Sequence, residues 1–192
     1  MKQVFLAIRL AHSPIIKSYY TEYQSQFGFA KLRWVEPKFL HITLKYFGSK
    51  SDSDIKKVIY ALDAVLKSVK SFQINVSKLR VFGSSYAPSV LWWGIKEEEY
   101  VKDIAAEIQF KLDKIGMLAD NQNFVPHISL ARIITLNSKP FFQKQLKRLA
   151  VPKGISQIIE SFVLLETKIS AHGPEYIELH RFHLKSPMIN NS

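Results

Sequence analysis

Cysteine is absent from this chain, and with it go disulfides, thiolate nucleophiles and the common structural zinc sites. A thiol-free composition fits a reducing compartment, and a cytoplasmic location is expected. Acidic residues are outnumbered: 16 Asp and Glu stand against 27 Lys and Arg, a formal net charge of +11. Summed potential of that sign concentrates phosphates near a cleft, so a polyanionic partner such as nucleic acid is favoured. Also missing is any uninterrupted apolar stretch of the ~20 residues a membrane helix needs. The apolar opening from Val4 to Ile8 is cut by Arg9 and His12 and has no small-residue cleavage site after it, so it reads as a first strand rather than a signal. No membrane partner is expected.

What is present suffices for one ordinary domain or two small lobes: 192 residues, 47% of them apolar. Alternating and helical patterns take turns along the chain without a low-complexity linker, which predicts an α+β fold. Strands are expected at Val4–Leu10, Lys31–Val35, Leu40–Phe47 with a break at Gly48, Phe72–Phe82, Ser89–Ile95, Phe124–Ile134, Ile155–Ile169 and Tyr176–Leu184. Helices are expected from Ser13-Pro14 to about Phe27, over Asp54–Val69, over Glu97–Ile115 with Tyr100, Ile104, Ile108 and Leu112 inward, and over the basic run Lys139–Leu149. Residues 1–185 read as a single domain and 186–192 as a tail.

Two segments repeat one pattern. His41-Ile42-Thr43-Leu44 and His127-Ile128-Ser129-Leu130 are each histidine, aliphatic, hydroxyl, aliphatic, 86 residues apart. On a strand, the histidine and hydroxyl share one face and the aliphatics the other. The order strand, helix, histidine strand, helix, strand occurs in each half, which suggests a duplicated unit placing both histidines in one cleft. A metal site is disfavoured by the spacing: there is no His-x-x-x-His and no nearby carboxylate. A serine triad is disfavoured by the missing Gly-x-Ser-x-Gly elbow. The reading that uses all four groups is paired acid–base hydrolysis of a phosphodiester, with one neutral imidazole, one imidazolium and two hydroxyls on the phosphate oxygens. No cofactor is required. A binding module that holds a nucleotide or RNA end without turnover is the alternative.

Beyond the motifs, the chain carries Val4-Phe5-Leu6-Ala7-Ile8, Trp34-Val35, Leu40 through Gly48, Val90-Leu91-Trp92 with Gly94-Ile95, Phe124 through Arg132, and Gly173 with Tyr176. With these it resembles the 2H phosphoesterase superfamily, and most closely its RNA 2′,3′-cyclic phosphodiesterase branch, also known as 2′-5′ RNA ligases. The resemblance implies a bilobal fold, with two pseudo-symmetric lobes whose antiparallel sheets face a central cleft and whose helices lie outside. It also implies metal-independent opening of a terminal 2′,3′-cyclic phosphate to a 2′-phosphate. Carried onto this chain, His41 would donate a proton to the leaving 3′ oxygen and His127 would activate water. Thr43 and Ser129 would hold phosphate oxygens. Arg132 would contact the phosphate too, although strict alternation from His127 places it on the other face unless a bulge intervenes. The expected partner is an RNA or oligonucleotide with a 2′,3′-cyclic end, bound by a monomer. A relative acting on another cyclic or 2′-5′-linked oligonucleotide, or running ligation, is the alternative within the family.

Lys45 shares the parity of His41 and Thr43 and is a further candidate for phosphate binding. Ser89 stands where members often have arginine. Trp34, Trp92, Trp93, Phe39, Phe47 and Tyr86 are candidates to stack a base, with core packing the expectation for most; Trp92 and Trp93 should face opposite ways. His12, His172, His180 and His183 have no repeated context and read as loop or surface groups.

Overall fold

A computed structural model describes residues 1–84, 87–114, 116–117, 123–149, 151–170 and 173–186. Tyr86, His172 and the tail beyond Ser186 lie outside the described residues.

The chain runs β1 (Lys2–Arg9), α1 (Pro14–Gln26), β2 (Ala30–Trp34), a 3-10 turn (Pro37–Phe39), β3 (His41–Lys50), α2 (Asp52–Leu66), β4 (Phe72–Gly83) and β5 (Pro88–Ile95). It continues as α3 (Glu98–Asp113), β6 (Ile128–Leu136), α4 (Lys139–Arg148), β7 (Ser156–Ile159), β8 (Ser161–Ser170) and β9 (Gly173–His183). Serine starts three of the helices: the hydroxyls of Ser13, Ser51 and Ser138 accept from the backbone N–H of Ile16, Asp54 and Phe141. Pro14 and Pro140 preset the first turns of α1 and α4.

Two antiparallel sheets form, in the orders β3-β1-β8-β9 and β2-β6-β5-β4-β7. Each half of the chain supplies a histidine strand beside its own first strand, β3 beside β1 and β6 beside β5, and then sends a later strand to the other sheet, β8 beside β1 and β4 beside β5. The duplication is therefore visible in space, but the lobes are not the sequence halves. This exchange ties them together. The main core packs α1, α2 and α3 against the sheets, with Val4, Leu6 and Ile8 facing it. Phe5 and Ala7 point the other way, onto Val163 and Leu165. A strand buried on both faces has no polar positions, which is why the opening reads as a continuous apolar run.

Several elements differ from the sequence-based expectations. The stretch Ile155–Ile169 is two strands, β7 in one sheet and β8 in the other, divided at Glu160. Apolar Ile158 and Ile159 precede the switch and Phe162 to Leu165 follow it, so hydrophobicity does not mark it. Strand β3 does not end at Gly48; the glycine sits at φ 74° and the pairing slips past Phe47, a bulge that lets the strand continue to Lys50. Tyr100 is 44% exposed, edge-on to Phe72, and Val101 takes the inward place at the start of α3.

Candidate active site

Both motifs begin where a loop enters a strand and carry the same irregularity. In β3 the register passes from Ala7↔Thr43 to Leu6↔Lys45, leaving Leu44 unpaired. In β6 it passes from Trp92↔Ser129 to Leu91↔Ala131, leaving Leu130 unpaired. Each motif thus has a bulge at its fourth residue. Up to the bulge, alternation holds: Ile42, Leu44, Ile128 and Leu130 are buried, and His41, Thr43, His127 and Ser129 are half-buried on the opposite face. Beyond it parity reverses.

That reversal decides two candidates. Arg132 pairs with Val90, two residues from Trp92, so it returns to the face of Ser129 and His127. Lys45 pairs with Leu6 and leaves the face of Thr43, contrary to the parity read from the sequence. Its side chain nonetheless lines the same cavity as Thr43 and His127. Tyr46 takes on β3 the place Arg132 takes on β6; it is 48% exposed and donates to Gln3 Oε1 at 2.6 Å. Arg33 of β2 lies directly opposite Arg132, and among the described residues neither arginine has an ion-pair partner. Like charges set side by side on a sheet cost stability without an anion between them.

The histidines are held identically. His41 Nδ1 donates to the carbonyl of Phe39, and His127 Nδ1 to that of Val125, each at 2.7 Å. A carbonyl only accepts, so the proton resides on Nδ1 and each Nε2 is left to act, as a base when neutral and as an acid when charged. Burial pushes both imidazoles below the ordinary value of 6.5, and the carbonyl bonds oppose it. His41 is pushed down further by the proximity of His127 and Arg9.

Aromatic rings frame each imidazole. Phe5 and Tyr176 lie 5.1 and 4.9 Å from the His41 ring, and Phe82 and Trp92 lie 4.7 and 5.8 Å from the His127 ring. Trp92 is buried under Phe82, with its Nε1 unpartnered, and Arg80 packs 5.4 Å over its ring. Trp93, fully buried, donates to the Tyr23 hydroxyl at 3.4 Å, so the two tryptophans do face opposite ways. Trp34 packs edge-on against Tyr20, Phe39 against Tyr176, and Phe47 against the core. Ser89 donates to the carbonyl of Phe82. A cavity of about 700 Å³ opens between Thr43, Tyr46, Phe82, Phe124 and His127. Among the described residues no three His, Asp or Glu side chains gather as a metal-ligand set, and no helix is long and apolar enough to cross a membrane.

The sequence did not single out Phe5, Phe82 and Arg33 as site residues. Their signal is cross-strand register, which no spacing along the chain reveals; Arg33 lay only within a segment noted as basic.

Two lobes tied by exchanged strands each present a histidine and a hydroxyl from the start of a bulged strand. Residues 11–92, which include the first motif, match the model of the LigT-like phosphoesterase family. An RNA 2′,3′-cyclic phosphodiesterase of Aquifex aeolicus (strain VF5) is 29% identical over 154 residues, 79% of this chain and 81% of that one. One of Bacillus subtilis (strain 168) is 26% identical over 157 residues, 79% and 80% of the two chains. Among solved structures, the protein TT0787 of Thermus thermophilus superposes with a TM-score of 0.77 at 19% identity, over 96% of this chain and 98% of that one. LigT of E. coli complexed with 3′-AMP does so with a TM-score of 0.72 at 20% identity, over 95% and 98%. The chain is thus similar to the LigT-like phosphoesterases in residues 11–92 and shares its fold with these solved structures.

Proposed function

We propose that this protein hydrolyses RNA 2′,3′-cyclic phosphate ends to 2′-phosphates by metal-independent, paired-histidine catalysis. The observation that carries the proposal is the matched pair of imidazoles, each with Nδ1 fixed on the carbonyl two residues back and Nε2 left for proton transfer. The names of the relatives support the substrate.

In this mechanism water attacks phosphorus as His127 Nε2 takes its proton, the P–O3′ bond breaks, and His41 Nε2–H protonates the departing 3′ oxygen. The products are a 2′-phosphate and a 3′-hydroxyl, with the proton moved from one histidine to the other and restored through solvent. Which histidine plays which role follows the family resemblance. Burial in the cleft disfavours the imidazolium at both positions, so the charged acid has to be created by the substrate: a phosphate anion beside His41 raises its pKa. Thr43 and Ser129 donate to the non-bridging oxygens, and Arg132, with Arg33 beside it, supplies the cation that balances their charge.

The test is incubation with a nucleoside 2′,3′-cyclic phosphate in excess EDTA. Release of the 2′-phosphate is expected. Inert mononucleotide and oligonucleotide substrates would sink the proposal, and activity lost on chelation and restored by a divalent metal would sink its metal-free part.

A further inference from the structure

Three depressions run end to end from the histidines to the outer face of the protein. The first is the 700 Å³ cavity beside His127 and Thr43. A second, of about 250 Å³, shares Lys45 and Tyr46 with it and adds Phe47, Lys50 and Lys57. A third, of about 780 Å³, shares Lys57 and Met117 with the second and passes between α2 and α3, past Lys56, Tyr60, Lys111 and Lys114. The three depressions share lining residues and together carry Lys45, Lys50, Lys56, Lys57, Lys111 and Lys114 with Tyr46 and Tyr60, starting beside His127.

The composition of this line is not that of a resting surface. Tyr60 is 81% exposed, and Phe110, next to the third depression, is 60% exposed with Lys114 Nζ 4.3 Å over its ring. The acids nearby are few and engaged: Asp54 with Lys57 at 3.3 Å and Ser51, Glu107 with Lys111 at 2.6 Å. Spaced cations with the exposed rings of Tyr46 and Tyr60 among them suit a single-stranded polyanion carrying flat rings, where bases stack and phosphates meet ammonium groups. An acidic peptide would satisfy the charges and leave the rings unused.

We propose that this track binds the single-stranded RNA leading to the terminal phosphate, so that the preferred substrate is an oligonucleotide and not a mononucleotide. The inference rests on the phosphodiesterase reading for its orientation but can be measured without turnover. Lys56, Lys111 and Lys114 are exchanged together for glutamine, and Tyr60→Ala is made separately. Binding of a labelled oligonucleotide with a plain 3′-hydroxyl is followed by fluorescence anisotropy against salt, and kcat/KM is measured for a cyclic mononucleotide and a cyclic-ended oligonucleotide.

The triple variant is expected to bind the oligonucleotide about tenfold more weakly, with the slope of log K against log salt reduced by about 2. Its kcat/KM should fall to match on the cyclic-ended oligonucleotide and stay within about twofold of wild type on the mononucleotide. Tyr60→Ala should weaken binding with the salt slope unchanged, since stacking is not ionic. Oligonucleotide affinity and salt slope unaltered by the triple exchange would overturn the track. So would competition by polyglutamate as effective as that by RNA of equal charge, which would assign the surface to acidic proteins. A wild-type protein that binds the oligonucleotide through these residues but hydrolyses neither substrate would refute the catalytic reading alone.

Discussion

At the scale of single residues, the protein presents two imidazoles in one state and asks them to act in two. His41→Ala and His127→Ala should each lower kcat by roughly 10²- to 10⁴-fold with little change in melting temperature, because each ring is tied to the fold through a hydrogen bond to a loop carbonyl. Loss of folding in both variants would make the histidines structural. Acidity supplies a second check. Burial lowers both pKa values from 6.5, so below that pH the unfolded chain takes up protons at these positions that the folded chain refuses. Their contribution to stability is therefore complete above about pH 6.5 and declines as pH falls toward the lowered values. Urea midpoints should drop on acidification through this window more steeply for wild type than for the His41→Asn/His127→Asn double variant. Equal slopes would contradict the lowered values. The pH profile of kcat/KM should be bell-shaped, and with two interacting histidines its limbs belong to the pair.

At the scale of elements, the paired bulges set which residues of β3 and β6 share a face with the histidines. They rotate the residue five places after each histidine back to the histidine's face, Tyr46 in β3 and Arg132 in β6, and put Lys45 on the other face of β3, where it still lines the cavity. Arg132→Gln should therefore reduce kcat/KM by tenfold or more, roughly the loss of one charge-assisted hydrogen bond, whereas Lys45→Gln should cost less than about threefold on a mononucleotide. The reverse ranking would show that the bulges do not set the chemistry. The elements themselves were legible to different degrees. Serine and proline marked where α1 begins, and the histidine motifs declared their own faces. The bulges, the turn of Lys45 away from Thr43 and the division of Ile155–Ile169 were not legible, because register depends on partners far away in sequence. Helix starts carry a local energy instead: Ser51→Ala should lower stability by about 1 kcal/mol in chemical denaturation, with activity intact.

At the scale of the whole molecule, strand exchange between the lobes and a net charge of +11 act together. The histidine strands lie in separate sheets that the exchange ties together, and the charge favours a polyanionic partner. The excess of lysine and arginine was plain in the composition; that several of those lysines line one path was not, since it takes α2, α3 and the end of β3 packed together to show it. What the architecture most directly claims is the fate of one bond. An RNA oligonucleotide ending in a 2′,3′-cyclic phosphate, incubated with the protein in EDTA and read by ³¹P NMR, should be converted to a 2′-phosphate with a free 3′-hydroxyl, and His41→Ala should abolish the conversion. An unchanged cyclic end, or a 3′-phosphate as the product, would contradict it.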